Sequence, residues 1–152
     1  MAKIRKAIVS DINGVVDLFD KYRVFYEKKS DKVKAEKFVS ERLLQNDSQI
    51  FVAESESKKL AGFVQLYPLF SSTRMQRLWL LNDLYVEPGF RGKGISKQLI
   101  EIAKELCAET NSCGLVLETA KTNTVGNQLY PKVGFSLDTE HNYYSWDNPM
   151  FK

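Results

Sequence analysis

The stretch Arg91-Gly92-Lys93-Gly94-Ile95-Ser96 joins an apolar strand to an amphipathic helix, and the fold prediction starts from it. The strand is predicted over Leu78–Val86, and Glu87-Pro88-Gly89 ends it because proline cannot donate to a strand ladder. The helix is predicted to run from Ile95 to about Thr110. Apolar residues recur on one face of that helix, namely Ile95, Leu99, Ile102, Ala103 and Leu106. That face must be buried, so the sequence predicts a strand, a turn and a helix packed against a sheet.

The turn between this strand and this helix favours an anionic ligand. A helix N-terminus carries free N–H groups and about half a positive charge, and glycine lets the backbone approach a phosphate closely. Arg91 and Lys93 add charge to the same turn. Two nucleotide fingerprints do not fit, because Gly94 follows Lys93 where a P-loop needs Ser or Thr, and Lys97 stands where a dinucleotide fold needs glycine. We therefore expect a different nucleotide-diphosphate ligand.

Two motifs in the chain resemble those of the GNAT superfamily of N-acetyltransferases. The first is Arg/Gln-x-x-Gly-x-Gly/Ala after a strand that ends in Val-x-Pro, matched by Arg91, Gly94 and, as a small substitute, Ser96. The second places Asn123 seven residues before Tyr130, followed by Gly134-Phe135. The resemblance extends from about residue 4 to residue 146. Around residues 81–86 the chain is most similar to the branch with diamine, polyamine, histone and amino-acid acetyltransferases.

The resemblance implies acetyl-CoA as cofactor and direct attack of a neutral amine on the thioester carbonyl, without an acyl-enzyme. Backbone N–H groups near Leu84–Val86 are the expected donors to the carbonyl oxygen, and Tyr130 is expected to protonate the departing thiolate. Asn123 is expected to bond the pantetheine arm or to cap a helix. The residues predicted to bind acetyl-CoA are Leu84, Tyr85, Val86, Arg91, Gly92, Lys93, Gly94, Ile95, Ser96, Asn123 and Tyr130.

The group that takes the proton of the amine is left open among acidic residues. An alkyl amine with a pKa near 10.4 is almost fully protonated at pH 7, so a base must help. Asp83, Glu118 and Glu27 are the candidates, and Asp83 is named with Tyr130 as catalytic. The residues predicted to line the acceptor site are Tyr22, Tyr26, Glu27, Asn82 and Glu118.

The predicted function is acetyl transfer to a primary amine of a small molecule such as a polyamine or an amino acid. Diamine enzymes of the family carry a glutamate where this chain has Asn82. Its absence argues against a polyamine substrate and against a simple assignment of the general base. Two alternatives stay open. One is acetylation of a protein lysine or N-terminus, and the other is a non-catalytic module that binds CoA for regulation.

Composition fits one globular domain, because 152 residues with 43% apolar content can bury a core but leave no room for another. The net charge of +3 is spread over 22 basic and 19 acidic residues, which gives little support to nucleic-acid binding. No apolar run reaches the length of a membrane span, so we expect a cytoplasmic protein. No metal site is predicted, and a homodimer is expected from late aromatic residues such as Tyr143 and Trp146.

The remaining periodicities predict an α/β fold with a mixed, mostly antiparallel sheet of about six or seven strands and about four helices. A strand at 4–9 precedes a helix capped by Ser10, and a second helix covers 33–44. A hairpin follows at 49–54 and 60–69, where Gly62 marks a bulge or a close contact. Late elements are a strand at 115–118, a helix from Asn123 or Thr124 to Val133, and strands at 135–137 and 143–146.

Overall fold

The computed structural model describes residues 1–151 and divides the chain into two compact units. The first is Met1–Glu118 and holds the sheet with three helices, and the second begins at Thr119 and holds one helix. The assignment of the whole chain to one domain stays a prediction.

The first unit is built on a sheet whose strands follow one another in chain order. Its strands are β1 (Lys3–Lys6), β2 (Gln49–Glu54), β3 (Leu60–Ser71), β4 (Gln76–Val86) and β5 (Leu115–Val116). Neighbours from β1 to β4 pair antiparallel, and β5 pairs parallel to β4 through Trp79 with Leu115 and Leu80 with Val116. A parallel neighbour requires a crossover, and the third helix supplies it. The mixed, mostly antiparallel α/β fold is confirmed.

Helices cover both faces of this sheet. They are α1 (Ile12–Phe25), α2 (Lys32–Gln45) and α3 (Ile95–Glu109). The second unit has a helix of its own, α4 (Thr124–Lys132). The core under α1 and α2 contains Val15, Leu18 and Val39 from the helices and Val52 and Phe63 from the sheet. On the other face α3 buries its apolar stripe, and the indole Nε1 of Trp79 donates to Thr110 Oγ1 over 2.9 Å.

A β-bulge in β4 lies at the centre of the sheet. Gln65 pairs with Asp83 while the next residue of β3, Leu66, pairs with Leu81, so Asn82 is an extra residue without a partner in β3. Side chains alternate between the two faces of a strand, and one extra residue exchanges the faces for all that follows. Trp79 therefore packs under α3, whereas Tyr85 joins the core under α1 and α2.

Several predicted boundaries need correction. The sheet has five strands within residues 1–151 rather than six or seven, because residues 135–137 and 143–146 form no strand in the described chain. Aromatic β-propensity produces a strand only where a neighbour supplies backbone partners. The first strand ends at Lys6, and a 3₁₀ turn at Val9–Asp11 leads into α1. Asp11 rather than Ser10 stands before α1, and its carboxylate accepts from the Ile8 N–H over 2.8 Å.

The close contact predicted at Gly62 is confirmed. Gly62 faces Val86 at the end of β4, and a Cβ built on Gly62 would lie 2.7 Å from the Tyr85 carbonyl oxygen. That oxygen belongs to the backbone, so the strand itself would have to move.

Gly62→Ala is expected to lower the free energy of unfolding by about 1–3 kcal/mol, because it overpacks the junction of β3 and β4. Urea denaturation monitored by circular dichroism measures the effect. Gly89→Ala is the matched control, since a Cβ there meets nothing within 4 Å. Equal stability of the two variants would contradict the assigned close contact.

Candidate active site

The turn before α3 presents a row of backbone amides. Among residues 1–151, the amides of Gly92 to Lys97 make no hydrogen bond, and the first one satisfied in α3 is Gln98 N–H, which donates to Gly94 O over 3.1 Å. Gly92 and Gly94 have φ of +76° and +79°, a region that side chains disfavour. A Cβ at either glycine would enter open space, so the amides are accessible. This geometry suits a diphosphate.

Both basic side chains of this turn are exposed, and each contacts a neighbouring group. Arg91 Nε donates to the Val86 carbonyl over 2.8 Å, and its guanidinium lies 5.5 Å from the Tyr85 ring centre. Lys93 Nζ lies over the Phe90 ring at 5.5 Å. Arg91 therefore ties the turn to the end of β4 through one N–H group, and the exposed Arg91 and Lys93 add positive charge beside the amides.

A gap opens beside the second half of β4. Pairing between β4 and β5 ends at Leu80, so within the described residues the later part of β4 has no strand on that side. Trp79 N–H points towards β5 and donates to Gly114 O, whereas Glu87 N–H points towards β3 and donates to Ala61 O. Successive amides alternate in direction, so the N–H groups of Leu84 and Val86 point into the gap. The Tyr85 amide points towards β3.

Asp83 lies on the α1 side of β4 and is buried. Its carboxylate accepts from Gln65 Nε2 over 2.6 Å and from Asn82 Nδ2 over 3.1 Å. The Tyr22 hydroxyl lies between the Asn82 carbonyl, at 3.1 Å, and the Asp83 carboxylate. Burial raises the pKa of Asp83, and the hydrogen bonds from Gln65, Tyr22 and Asn82 counteract part of that rise. A raised carboxyl pKa brings this group closer to the range of a general base at neutral pH.

The predicted acceptor residues fall into two sets. Tyr22 and Tyr26 pack edge to face with ring centres 5.0 Å apart. The Tyr22 hydroxyl contacts the carbonyl of the exposed Asn82. Glu27 instead closes α1 in a Schellman motif at φ +62°, where Lys28 N–H donates to Arg23 O. Glu118 is exposed and makes no hydrogen bond or ion pair within residues 1–151. The structure thus joins Tyr22, Tyr26 and Asn82 to Asp83, but not the two glutamates.

In the second unit, Asn123 caps α4 as predicted. Its Oδ1 accepts from Gly126 N–H over 3.2 Å, and its Nδ2 donates to Thr119 Oγ1 over 2.9 Å. Tyr130 packs edge to face on Phe135 with ring centres 5.7 Å apart, and its carbonyl accepts from Phe135 N–H. The helix cap therefore accounts for Asn123 locally, and both residues keep their cofactor roles as predictions.

Sequence reasoning missed two polar residues in this region. Gln65 is buried in β3 and pairs with Asp83, and Ser48 Oγ donates to Gln65 Oε1 over 2.9 Å. The signal was present, because Gln65 interrupts the apolar run Phe63-Val64-Gln65-Leu66 in a strand buried on both faces. A polar residue in such a strand must find a hydrogen-bonding partner.

Two kinds of feature, a cluster of metal ligands and a membrane-spanning helix, are absent from residues 1–151. No group of three or more His, Cys, Asp or Glu side chains is arranged to hold a metal ion. None of the described helices is long and apolar enough to cross a membrane.

Comparison with known proteins identifies the class and then the relatives. The Acetyltransferase (GNAT) family profile matches residues 14–135, and the chain belongs to that family. The uncharacterized N-acetyltransferase YhfO of Bacillus subtilis is 39% identical over 146 residues, covering 96% of this chain and 97% of YhfO. A crystal structure of a probable acetyltransferase has a TM-score of 0.90 and 33% identity, covering 96% of this chain and 97% of its own.

A more distant structure carries the cofactor. A predicted acetyltransferase of Clostridium acetobutylicum, solved with acetyl-CoA, has a TM-score of 0.78 at 20% identity and covers 95% of this chain and 96% of its own. At that identity the likeness concerns the fold.

Asp83→Asn is expected to raise the stability of the fold at neutral pH. For a carboxyl whose folded pKa lies above its unfolded pKa, the folded state binds more protons, so stability falls as pH rises through that window. The window opens near the unfolded Asp pKa of about 4 and closes at the raised folded pKa of Asp83. Urea titrations from pH 4 to pH 8 should show that the free energy of unfolding of Asp83→Asn rises relative to that of the wild type as pH rises. A constant difference would contradict the raised pKa.

Proposed function

We propose that the protein is an acetyl-CoA-dependent N-acetyltransferase that acetylates a primary amine of a small molecule. The observation that carries the proposal is the single segment from Asp83 to Lys97. It places a buried carboxylate, the amides of Leu84 and Val86 in an open gap, and the unbonded amides of Gly92 to Lys97 in succession along the chain. Direct acetyl transfer needs these groups: an acceptor for a proton, donors to an oxyanion and a site for a diphosphate.

In this proposal the residues of the first unit stabilise two negative charges of the cofactor, one on the diphosphate and one on the thioester oxygen. The Gly92 to Lys97 amides hold the diphosphate, and the Leu84 and Val86 N–H groups stabilise the negative charge that develops on the thioester carbonyl oxygen. Asp83 receives the proton of the amine through the Tyr22 hydroxyl, which takes that proton and passes its own to the carboxylate. Tyr130 donates to the departing thiolate, because a phenol with a pKa near 10 is protonated at neutral pH.

A small-molecule amine is favoured by what surrounds Asn82. The rings of Tyr22, Phe25 and Tyr26 form one edge-to-face cluster, with Phe25 half exposed and its ring centre 5.2 Å from that of Tyr26. An aromatic cluster of this kind binds an alkylammonium group by cation–π and apolar contact. A panel of amino acids, polyamines, aminoglycosides and lysine peptides, monitored by CoA release, tests the substrate class. Turnover of peptides alone would favour a protein acetyltransferase, and binding without turnover would favour a regulatory module.

A homodimer in the cytoplasm also remains a proposal. Its support is the exposure of Tyr143 and Trp146, since exposed aromatic side chains are enriched at protein interfaces.

Gly94→Val is expected to weaken acetyl-CoA binding at least about tenfold, or about 1.4 kcal/mol. A branched side chain at φ +79° strains the turn and covers the amides that should hold the diphosphate. Isothermal titration calorimetry measures the affinity. Gly89→Val lies in the same turn without a positive φ and should bind like the wild type. Undiminished affinity of Gly94→Val would exclude this turn as the diphosphate site.

Tyr130→Phe is expected to lower kcat about a hundredfold with little change in acetyl-CoA affinity, because it removes only the proton donor for the thiolate. Steady-state kinetics with the acceptor found by the panel, together with calorimetry, separate the two effects. Tyr143→Phe removes an exposed hydroxyl and serves as the control. An unchanged kcat and pH–rate profile would remove Tyr130 from the chemistry.

A further inference from the structure

The bulge at Asn82 is held by a series of hydrogen bonds that joins three elements and the residue before β2. Ser48, just before β2, donates to Gln65 Oε1 over 2.9 Å, and Gln65 Nε2 donates to Asp83 Oδ2 over 2.6 Å. Asp83 Oδ1 in turn accepts from Asn82 Nδ2 over 3.1 Å. From α1, the Tyr22 hydroxyl donates to the Asn82 carbonyl over 3.1 Å. Both the side chain and the backbone of the bulged residue are therefore bonded.

The order of donors in this chain has one consequence for Gln65. Its amide has an oxygen that accepts and a nitrogen that donates, and a carboxylate such as Asp83 only accepts. The acceptor-only carboxylate therefore fixes the amide nitrogen towards Asp83, and the Ser48 hydroxyl satisfies the oxygen end. Without Ser48, the Gln65 Oε1 would be buried without the hydrogen bond that satisfies it.

The burial of these groups is difficult to explain by stability alone. The exposed fractions of Gln65, Asp83 and Ser48 are 1%, 2% and 5%. Replacing a buried polar network by apolar side chains of similar volume is often neutral or stabilising, because desolvation offsets the gain from the bonds. Phe63, two positions before Gln65 on the same face of β3, is fully buried, so this face of the strand packs well with apolar residues.

The bulge determines which way the last amides of β4 point. Trp79 and Glu87 are eight residues apart, so in a regular strand their N–H groups would point to the same side. They donate to opposite sides instead, Trp79 towards β5 and Glu87 towards β3. The extra residue Asn82 is the cause, and it turns the Leu84 and Val86 amides into the gap. Were the bulge lost, those two amides would face β3.

We propose that Gln65, whose amide oxygen is bonded by Ser48, is a positioning residue of the acetyl-transfer site: it clamps Asp83 and the bulge at Asn82, and so aims the Leu84 and Val86 amides at the thioester oxygen. This inference rests on the proposed function. It assigns to Gln65 no contact with substrate or cofactor, and its effect is exerted through Asp83 and the backbone of β4.

The test compares Gln65→Met with Val64→Ala in the full chain. Gln65→Met keeps the volume of the side chain but removes both hydrogen bonds, whereas Val64→Ala disturbs the adjacent, equally buried position whose side chain points to the other face of the sheet. Thermal denaturation first establishes that each variant folds. Ser48→Ala is a second, milder variant, because it removes only the bond to the Gln65 amide oxygen and leaves the bond to Asp83.

The readout that needs no acceptor is the amide spectrum of each protein in ¹⁵N-labelled form, titrated with acetyl-CoA. In the wild type we expect shifts at Gly92 to Lys97 and at Leu84 and Val86. In Gln65→Met the first set should persist and the second should be lost, while Val64→Ala keeps both. Retention of the Leu84 and Val86 shifts in Gln65→Met would overturn the proposal. If the wild type shows shifts at Gly92 to Lys97 but none at Leu84 and Val86, cofactor binding is intact and the proposal is overturned. If no amide shifts at all, the proposed function itself is refuted.

Kinetics with an acceptor from the panel give a second readout that loss of stability would not move. Gln65→Met should lower kcat about a hundredfold with the KM for acetyl-CoA within about twofold, as expected for misplaced catalytic groups. Ser48→Ala should move in the same direction by less. An unchanged kcat, or a parallel loss in Val64→Ala, would reduce Gln65 to a structural residue.

The pH profile is the third readout. The Gln65 bond lowers the pKa of Asp83, so its removal should shift the acid limb of kcat/KM to higher pH. The titratable groups facing this site are Tyr22 from α1 and Tyr67 from β3, with Arg42 of α2 and Asp47 near Tyr67. Burial raises the pKa of the Tyr67 hydroxyl above its ordinary value, so Tyr67 stays protonated across the acid limb. An acid limb that does not move would separate Gln65 from Asp83.

Discussion

A strand with one extra residue, Asn82, underlies the arrangement of the first unit. Because side chains and amides both alternate along a strand, the insertion exchanges two sets of directions at once. Before the bulge, Trp79 packs under α3 and donates towards β5; after it, Tyr85 packs under α1 and Glu87 donates towards β3. One irregularity thus places a carboxylate on one face and two amides in a gap beside the strand.

The turn that follows β4 combines an accessible row of backbone amides with two exposed basic side chains. Two glycines at positive φ keep successive N–H groups on one accessible surface, where a side chain would strain the turn. Arg91 is exposed, and its Nε donates to the Val86 carbonyl at the end of β4. The role of this arginine is therefore to fix the turn relative to the bulged strand, which gives the two groups of amides a constant separation.

Asp83 shows a conflict between stability and function. A carboxylate without a cationic partner in a buried position destabilises the fold, and the network with Gln65, Asn82 and Tyr22 offsets only part of that cost. A chain selected for stability alone would place an apolar residue there. Groups that are strained or costly and yet fully bonded are typical of functional sites, because such costs persist only where activity depends on them. The same reasoning extends to Gln65, which is buried beside Asp83 and donates a hydrogen bond to its carboxylate.

The amino-acid sequence by itself determined the elements whose signals are local. The periodicity of α3, the proline after β4, the glycine turn and the cap at Asn123 depend on residues close in the chain, and the structure has each of them where expected. Tertiary structure alone decided the rest, because those features depend on partners far away in the chain. Residues 143–146 have the composition of a strand but no partner strand, and Gln65 acquires its role only from Ser48 and Asp83, which lie 17 and 18 positions away. The bulge itself is a property of pairing between β3 and β4, so no single strand's sequence could show it.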